Sequence, residues 1–208
     1  MYRDHVILDF EMNPVHSQDG QRSPLQNEII EIGAIKLSGD DFRELSYFEE
    51  FVKPERGSSI SHKITELTGI TNGDVANARC FSDVLGDFIE WIGSKPVRIY
   101  SWSNTDKIQL LAECREKLLE FPSNMSGWTD FQAVFPRVIG IYFKRQMSLE
   151  YALELSGVEF DRNSVHRALY DARVTAELVR MVLSGEHKKK LSGLKDVLVS
   201  PNVEPSTY

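Results

Sequence analysis

An apolar segment near the start of the chain runs directly into two carboxylates, and this junction constrains the fold more than any other short segment. Residues 6–8 are Val-Ile-Leu, and Asp9, Phe10 and Glu11 follow without a break. Because strand side chains alternate between faces, we expect a strand that presents Asp9 and Glu11 on one face and directs Phe10 into the core. Open α/β sheets present ligands at such strand ends, so packing alone does not explain the two acids; an ordinary solvated strand end is the alternative.

Three strands are predicted in the first third of the chain. Residues 13–27 contain the turn-forming residues of a loop, and residues 28–37 then resume a long, mostly buried strand. The Ser-Gly-Asp-Asp segment at 38–41 indicates a hairpin turn, and residues 45–52 give a third strand before Pro54. This order predicts an antiparallel three-strand meander.

Beyond residue 60, helical patterns alternate with two short strands, predicted at 97–102 and 127–130. Capping residues and apolar spacing predict helices from Ser61 to Leu67, from Ser82 to Ile92, over 104–119 with a face of Ile108, Leu111, Ala112, Arg115, Leu118 and Leu119, from Ser148 to Leu155, and from Asn163 or Ser164 to Leu183. A meander followed by this alternation predicts an α/β, ribonuclease H-like fold. Its central sheet would be mixed, with antiparallel and parallel strands, and flanked by helices.

Two further acids and one histidine stand out in the second half. Asp106 follows the predicted strand at 97–102, although an acid in the first turn of a helix is also explained by the helix dipole. Asp171 lies beside the apolar stripe of the last helix, where a buried carboxylate needs a cation or a donor. His166 and Asp171 would point about 140° apart within one helix, whereas a loop position lets the ring turn toward the acids. A surface or capping histidine is the alternative.

Four carboxylates that converge in space, Asp9, Glu11, Asp106 and Asp171, would repel one another strongly unless divalent cations neutralise them. Oxygen ligands alone favour magnesium or manganese. A metal-dependent nuclease site is therefore the leading hypothesis from these residues.

Composition limits the partners and the domain count. The 208 residues, 41% of them apolar, fit one domain, which we expect at 1–185, followed by a polar and mobile tail at 186–208. A formal net charge of −7 argues against broad, charge-driven affinity for nucleic acid. Holding a strand end needs only a local basic rim, for which the candidates are Lys144, Arg145, Arg162, Arg167 and Arg173.

The expected location is the cytoplasm, with no membrane contact. No apolar run approaches the ~20 residues of a membrane-spanning helix, and the first residues do not resemble a signal peptide. Cys80 and Cys114 form no Cys-x-x-Cys motif, and two sparse thiols are typical of a reducing compartment.

The three acidic patterns, taken in order, resemble a known family. Asp9 to Glu11, Asp106 and the segment from His166 to Asp171 resemble the three exonuclease motifs of the DEDDh 3′-to-5′ exonucleases. The resemblance covers most of residues 5–183, and residues 28–34 are similar to the second strand of that family.

Subfamily features point to one branch. Residues 67–71, Leu-Thr-Gly-Ile-Thr, and residues 101–106 are most similar to the Eri-type exoribonucleases. Ser103 and Tyr170 depart from the family, which often has glycine and aspartate there, but neither departure removes a ligand position.

The resemblance implies roles for individual residues. Asp9, Glu11, Asp106 and Asp171 would hold two Mg²⁺ or Mn²⁺ ions, and His166 would be the general base. Contacts with the terminal nucleotide are expected from Phe10, Met12, Leu67, Thr68, Gly69 and Trp102. An ordinary core position is the alternative for Trp102.

The first functional hypothesis is a 3′-to-5′ exonuclease that releases nucleoside 5′-monophosphates from single-stranded RNA or DNA, with RNA favoured. One alternative is a non-catalytic nucleic-acid-binding module of the same fold, which is disfavoured because all five groups are present. Another is a ribonuclease H-type endonuclease, which His166 disfavours. Protein partners are not predicted.

Overall fold

The computed structural model describes residues 3–15, 25–56, 59–141 and 145–190. Five strands form one mixed sheet in the order β3-β2-β1-β4-β5. β1 pairs antiparallel with β2 and β2 antiparallel with β3, whereas β1–β4 and β4–β5 pair in parallel, so the predicted meander and mixed sheet are confirmed. The strands are β1 His5–Pro14, β2 Asn27–Leu37, β3 Glu44–Phe51, β4 Arg98–Ser101 and β5 Trp128–Asp130.

The first hairpin is longer than the sequence predicts. β1 continues to Pro14 and β2 begins at Asn27, so both ends of the predicted 13–27 loop belong to strands. The middle of that loop, residues 16–24, lies outside the described residues. The β1–β2 register shifts between Glu11 and Met12, a bulge immediately after the second carboxylate of β1.

Helices cover both faces of the sheet. They are α1 His62–Thr68, α2 Asn72–Ala76, α3 Phe81–Ile92, α4 Thr105–Glu116, α5 Phe131–Ile139, α6 Leu149–Ser156, α7 Ala168–Leu183 and α8 His187–Lys190. Ser61 and Ser148 cap α1 and α6 by accepting first-turn N–H groups, which confirms both predicted caps. None of the helices in the described part of the chain is long and apolar enough to cross a bilayer.

Helix details differ from the sequence predictions in four places. Cys80 rather than Ser82 precedes α3, and α2 and α5 were not predicted. α7 begins at Ala168 and not at Asn163 or Ser164. Those two residues bond instead to the carboxylate of Asp161, which holds them in a turn ahead of the helix.

The predicted buried face of α4 is also wrong. Ile108 and Leu118 are 59% and 93% exposed, while Gln109, Leu110 and Glu113 are buried. The reason is polar: Gln109 donates to the Asn27 carbonyl at 2.7 Å, and the Glu113 carboxylate accepts the Ile29 N–H at 3.0 Å. α4 therefore docks on β2 through hydrogen bonds as well as apolar contacts.

β1 separates two apolar layers. Val6, Leu8 and Phe10 join the cluster that contains the buried residues of α3. Ile7 points the other way, into the cluster formed with α5, α6 and α7. Because side chains alternate along a strand, Asp9 lies on the Ile7 side of the sheet, the side that α7 covers.

Gly33 on β2 sets how closely α7 approaches the sheet. A Cβ at this position would lie 2.0 Å from the Leu169 backbone nitrogen and 2.1 Å from the Ala168 carbonyl carbon. Both atoms belong to the first turn of α7, so only glycine permits this contact. The beginning of α7 is thereby held directly over the strands that carry the acids.

Gly33→Ala is expected to destabilise the protein, because the added methyl group must push the α7 backbone away from β2. We expect a loss of about 3 kcal/mol or more in the free energy of unfolding, at the upper end of overpacking effects, measured by urea denaturation. Gly86→Ala is the matched control, since Gly86 lies exposed within α3 with open space around it. That change should stabilise by about 0.5–1 kcal/mol. Equal stability of the two variants would contradict the prediction.

Candidate active site

Three carboxylates from two elements meet at one point. Asp9 and Glu11 project from β1, and Asp171 projects from the first turn of α7. One oxygen of each lies within 4.8 Å of the others. Glu11 and Asp171 are buried, and Asp9 is partly buried, so three of the four predicted ligands converge closely.

Asp106 borders this group from another side. It lies in the first turn of α4, just after the carboxyl end of β4, and is 4% exposed. Its Oδ1 accepts the backbone N–H of Phe10 at 3.1 Å, so the backbone between Asp9 and Glu11 is tied to α4. Asp106 stands outside the tight group of three but close enough for its charge to raise the pKa of Asp9 and Glu11.

Burial and mutual repulsion make all four carboxyl groups hard to ionise. Burial, followed by the charges of Asp171, Glu31 and Asp106, raises the pKa of Glu11 to about 8. Burial is also the main cause that raises the pKa of Asp106 to about 7 and that of Asp171 to about 7. The pKa of Asp9 is raised well above its usual range by burial and by Asp106. A nearby positive charge would favour the ionised forms.

The donor set fits a hard divalent cation. All the candidate ligand atoms are carboxylate oxygens, which Mg²⁺ and Mn²⁺ prefer. Oδ1 of Asp171 is buried and has no hydrogen-bond partner among the described residues, although buried polar atoms are normally paired. A cation between β1 and α7 would supply that partner.

His166 lies beside the acids and outside the helix. It sits two residues before α7 begins, with a left-handed backbone at φ +68°. Its backbone N–H donates to Oδ2 of Asp171 at 3.2 Å. The loop position that lets the ring face the acids is therefore the observed one.

A cavity of about 820 Å³ opens onto this group. Asp9, His166 and Asp171 line it together with the N-terminal residues of α4. Two acids that the sequence analysis did not single out, Asp130 and Glu150, also line it. The other lining residues are Trp102, Ser103, Asn104, Thr105, Ile108, Gln132, Gln146, Ser148, Leu149 and Val165.

The expected nucleotide contacts lie in different places. Trp102 lines the cavity, yet it is only 8% exposed, packs against Phe131 and Phe135, and donates through Nε1 to the Met147 carbonyl. Phe10 is buried in the core, and Met12 packs against the same apolar cluster. Leu67 is exposed, Thr68 is buried and Gly69 ends α1; these three are not among the described residues that line the cavity.

The candidate basic rim is largely engaged with acids. Arg162 pairs with Glu150 and Glu154, and Arg173 pairs with Glu44. Arg145 is exposed, and Lys144 lies outside the described residues. Arg167 pairs with Glu31 on β2, a buried acid that was not among the predicted site residues. The signal for Glu31 was available, because a charged residue inside a buried strand requires a partner.

Residues 6–179 match the model of the exonuclease family RNase_T. ERI1 exoribonuclease 2 of Danio rerio is 30% identical over 200 residues, which cover 86% of this chain and 35% of that protein. The 3′-5′ exoribonuclease 1 of Rattus norvegicus is 28% identical over 198 residues, covering 88% of this chain and 54% of that protein. The chain therefore spans between about a third and about half of the length of these relatives.

Among solved structures, the chain is similar to the nuclease domain of 3′hExo, a DEDDh family member bound to rAMP. The TM-score is 0.77 at 24% identity, with 88% of this chain and 93% of that domain covered. The predicted ribonuclease H-like exonuclease fold is confirmed.

Without divalent ions, the protein should lose stability as pH rises. Raised pKa values mean that the folded state binds protons more tightly than the unfolded state, whose acids titrate near pH 4. This stabilisation is complete at low pH and is lost as pH rises through about 7 to 8, the pKa values of Asp106, Asp171 and Glu11. In chelator, we expect the free energy of unfolding to fall by at least about 2 kcal/mol between pH 5 and pH 8.5.

Denaturant unfolding at several pH values measures this loss, and Mn²⁺ should abolish it. Asp171→Asn removes one of the titrating groups and should flatten the profile in chelator. Stability that increases across the same pH range in chelator would show that the carboxyl groups are compensated by other means.

Proposed function

Because the chain belongs to the exonuclease family RNase_T, we propose that it is a DEDDh exonuclease of the Eri-type branch and removes nucleotides one at a time from the 3′ end of RNA. The observation that carries the proposal is that Asp9, Glu11 and Asp171 lie within 4.8 Å of one another, with Asp9, Asp171 and His166 lining an open cavity. The products would be nucleoside 5′-monophosphates.

We propose Mg²⁺ or Mn²⁺ as the cofactor, with two ions per site. Asp9, Glu11 and Asp171 would hold them, and Asp106 would complete the ligand set from α4. Bound divalent ions supply Lewis-acid stabilisation of a phosphate and lower the pKa of water. The unpartnered Oδ1 of Asp171 and the raised pKa of Glu11 both support this assignment.

His166 is proposed as the general base. His166 lines the cavity together with Asp9 and Asp171, and its backbone is held by the bond from its N–H to the Asp171 carboxylate. A water molecule that attacks the terminal phosphodiester would give its proton to the imidazole, while the oxygen of the shortened strand leaves on the opposite side of the phosphorus. Asp171 would thus orient His166 as well as bind metal.

RNA is proposed as the preferred substrate. The supporting observations are the exoribonuclease names of the relatives and a cavity whose described lining offers hydroxyl and amide groups, from Ser103, Asn104, Gln132 and Gln146, that can bond to a ribose. A single-stranded end suits the site, since the terminal nucleotide must enter a cavity.

The same proposal covers domain organisation and location. We assign residues 1–185 to one exonuclease domain and residues 186–208 to a polar tail, of which His187–Lys190 form α8 and 191–208 lie outside the described residues. A cytoplasmic location is consistent with Cys80 and Cys114, which are free thiols.

Glu11→Gln should remove exonuclease activity while the fold persists, because the neutral amide cannot hold a cation as the carboxylate does. We expect a loss in kcat of more than about 100-fold, beyond the range for residues that only orient ligands. The assay follows Mg²⁺-dependent release of mononucleotides from matched single-stranded RNA and DNA labelled at either end. Glu66→Gln, on exposed α1, is the control and should retain full activity.

The same assay tests the direction of cutting. A 5′-labelled strand should shorten gradually, a 3′-labelled strand should release labelled mononucleotide at once, and a circular strand should remain intact. Cleavage of the circle would favour an endonuclease, and inactivity of the unmodified protein in Mg²⁺ and Mn²⁺ would leave only a binding role.

His166→Asn should reduce kcat by about 10²- to 10⁴-fold, the usual contribution of a general base, with little change in Mn²⁺ affinity. Asparagine tolerates the left-handed backbone at this position, so the hydrogen bond from residue 166 N–H to Asp171 should persist. Single-turnover kinetics and calorimetric titration with Mn²⁺ measure the two effects. His62→Asn on exposed α1 is the control, and a His166→Asn enzyme with normal kcat would refute the assignment of the base.

A further inference from the structure

Glu31 places a fifth carboxylate next to the site. It is the Cα partner of Glu11 across the antiparallel β1–β2 ladder, so the two side chains emerge on the same face of the sheet. Glu31 is completely buried. Its charge disfavours ionisation of Asp9, Glu11 and Asp171, which makes an acid at this position costly for the site.

Both carboxylate oxygens of Glu31 are nevertheless bonded to residues other than the three converging acids. Its Oε1 lies 2.6 Å from Nη2 of Arg167 and 3.2 Å from Nε of the same guanidinium group. Its Oε2 accepts the backbone N–H of Ala168 at 2.9 Å. Glu31 therefore binds the first residue of α7 and the residue just before it, and it does not belong to the group that can hold a cation.

The bonds from Glu31 to Arg167 and Ala168, here called the Glu31 anchor, take the place of a side-chain N-cap, which α7 lacks. Arg167 is the N-cap of α7 and its side chain accepts no hydrogen bond from the helix. The free N–H groups of a helix start favour an acidic partner, and Glu31 supplies it from a different element. Two residues further along β2, Gly33 lets the same turn of α7 touch the strand.

Arg167, which Glu31 binds, is linked directly to His166 and Asp171. His166 precedes Arg167, and the Asp171 N–H donates to the Arg167 carbonyl at 2.9 Å. The His166 N–H in turn donates to the Asp171 carboxylate. A shift of Arg167 would therefore move both His166 and Asp171 relative to Asp9 and Glu11 on β1.

We propose that Glu31, acting through Arg167 and Ala168, is a positioning residue that fixes His166 and Asp171 over the β1 carboxylates. The inference rests on the proposed function, because it concerns the distance between two halves of one metal site. Glu31 would act through its bonds to Arg167 and Ala168, and not through a direct effect of its charge on the cation site.

The full-length chain with Glu31→Gln tests this role. Glutamine keeps the size and can still accept the Ala168 N–H, but it loses the paired bonds to the guanidinium group. Residues that orient metal ligands typically contribute 10- to 100-fold, so we expect kcat to fall and the Kd for Mn²⁺ to rise by about that factor, with KM for the RNA oligomer within about threefold. Arg167→Lys should give a smaller effect in the same direction.

Two further variants distinguish a positioning role of Glu31 from an effect of its charge and from a general loss of stability. Glu28→Gln is the matched control: it changes a buried glutamate of the same strand, whose carboxylate accepts the N–H groups of Glu55 and Arg56, and should leave Mn²⁺ binding unchanged. The double variant Glu31→Gln with Arg167→Met restores the net charge of the pair but not the anchor. It should remain as defective as Glu31→Gln alone.

Recovery of Mn²⁺ affinity in the double variant would overturn the proposal in favour of a charge effect. Unchanged Mn²⁺ affinity and kcat in Glu31→Gln would overturn it in favour of a purely structural cap. Should Glu31→Gln fail to fold, Arg167→Lys carries the test, since it leaves the buried Glu31 unchanged and the Arg167 side chain is 39% exposed. If the unmodified protein binds no Mn²⁺, the proposed function itself fails; if it binds and the variants match it, only the positioning role fails.

Discussion

Repulsion among buried carboxylates is the constraint on which the rest of this structure depends. Asp9, Glu11 and Asp171 lie within 4.8 Å, and Asp106 borders them from α4. These carboxyl groups are buried, so water screens their charges poorly. Burial is accordingly the largest cause of each raised pKa. Neighbouring elements therefore have to force the acids together. β1 supplies two of them from adjacent positions on one face, and the anchoring of α7 to β2 supplies the third.

The sheet order explains why the acids arrive at one edge. β1, β4 and β5 are parallel. Asp9 lies in β1 just beyond the residues that pair with β4, Asp106 follows β4, and Asp130 ends β5, so the three acids share one edge of the sheet. Such an edge is where open α/β sheets bind ligands. α7 arrives from the opposite end of the sequence and closes the group across β1 and β2. The direction of the parallel strands therefore places Asp9, Asp106 and Asp130 together, whereas the contact of α7 with β1 and β2 places Asp171.

The sequence predicts what depends on short-range periodicity. The alternation of Asp9, Phe10 and Glu11 was enough to assign two acids to one face and Phe10 to the core, and Ser61 and Ser148 were enough to start two helices. The predictions were wrong mainly where residues far apart in the sequence determine the local structure. The buried face of α4 is partly polar because Gln109 and Glu113 find backbone partners on β2, so apolar spacing selected the wrong side. Glu31 likewise binds a partner 136 residues away. The start of α7 is a local exception, because Asp161 holds Asn163 and Ser164 in a turn ahead of the helix.

The described lining of the cavity, which includes Asp130 and Glu150, contains no lysine or arginine. Proteins that bind phosphates through lysine or arginine displace condensed counterions from the nucleic acid, so their affinity falls steeply as the monovalent salt concentration increases. On the proposed mechanism, phosphate would be held here mainly through divalent ions, so few counterions are released on association. Binding at this cavity would then follow the concentration of free Mg²⁺ more closely than ionic strength.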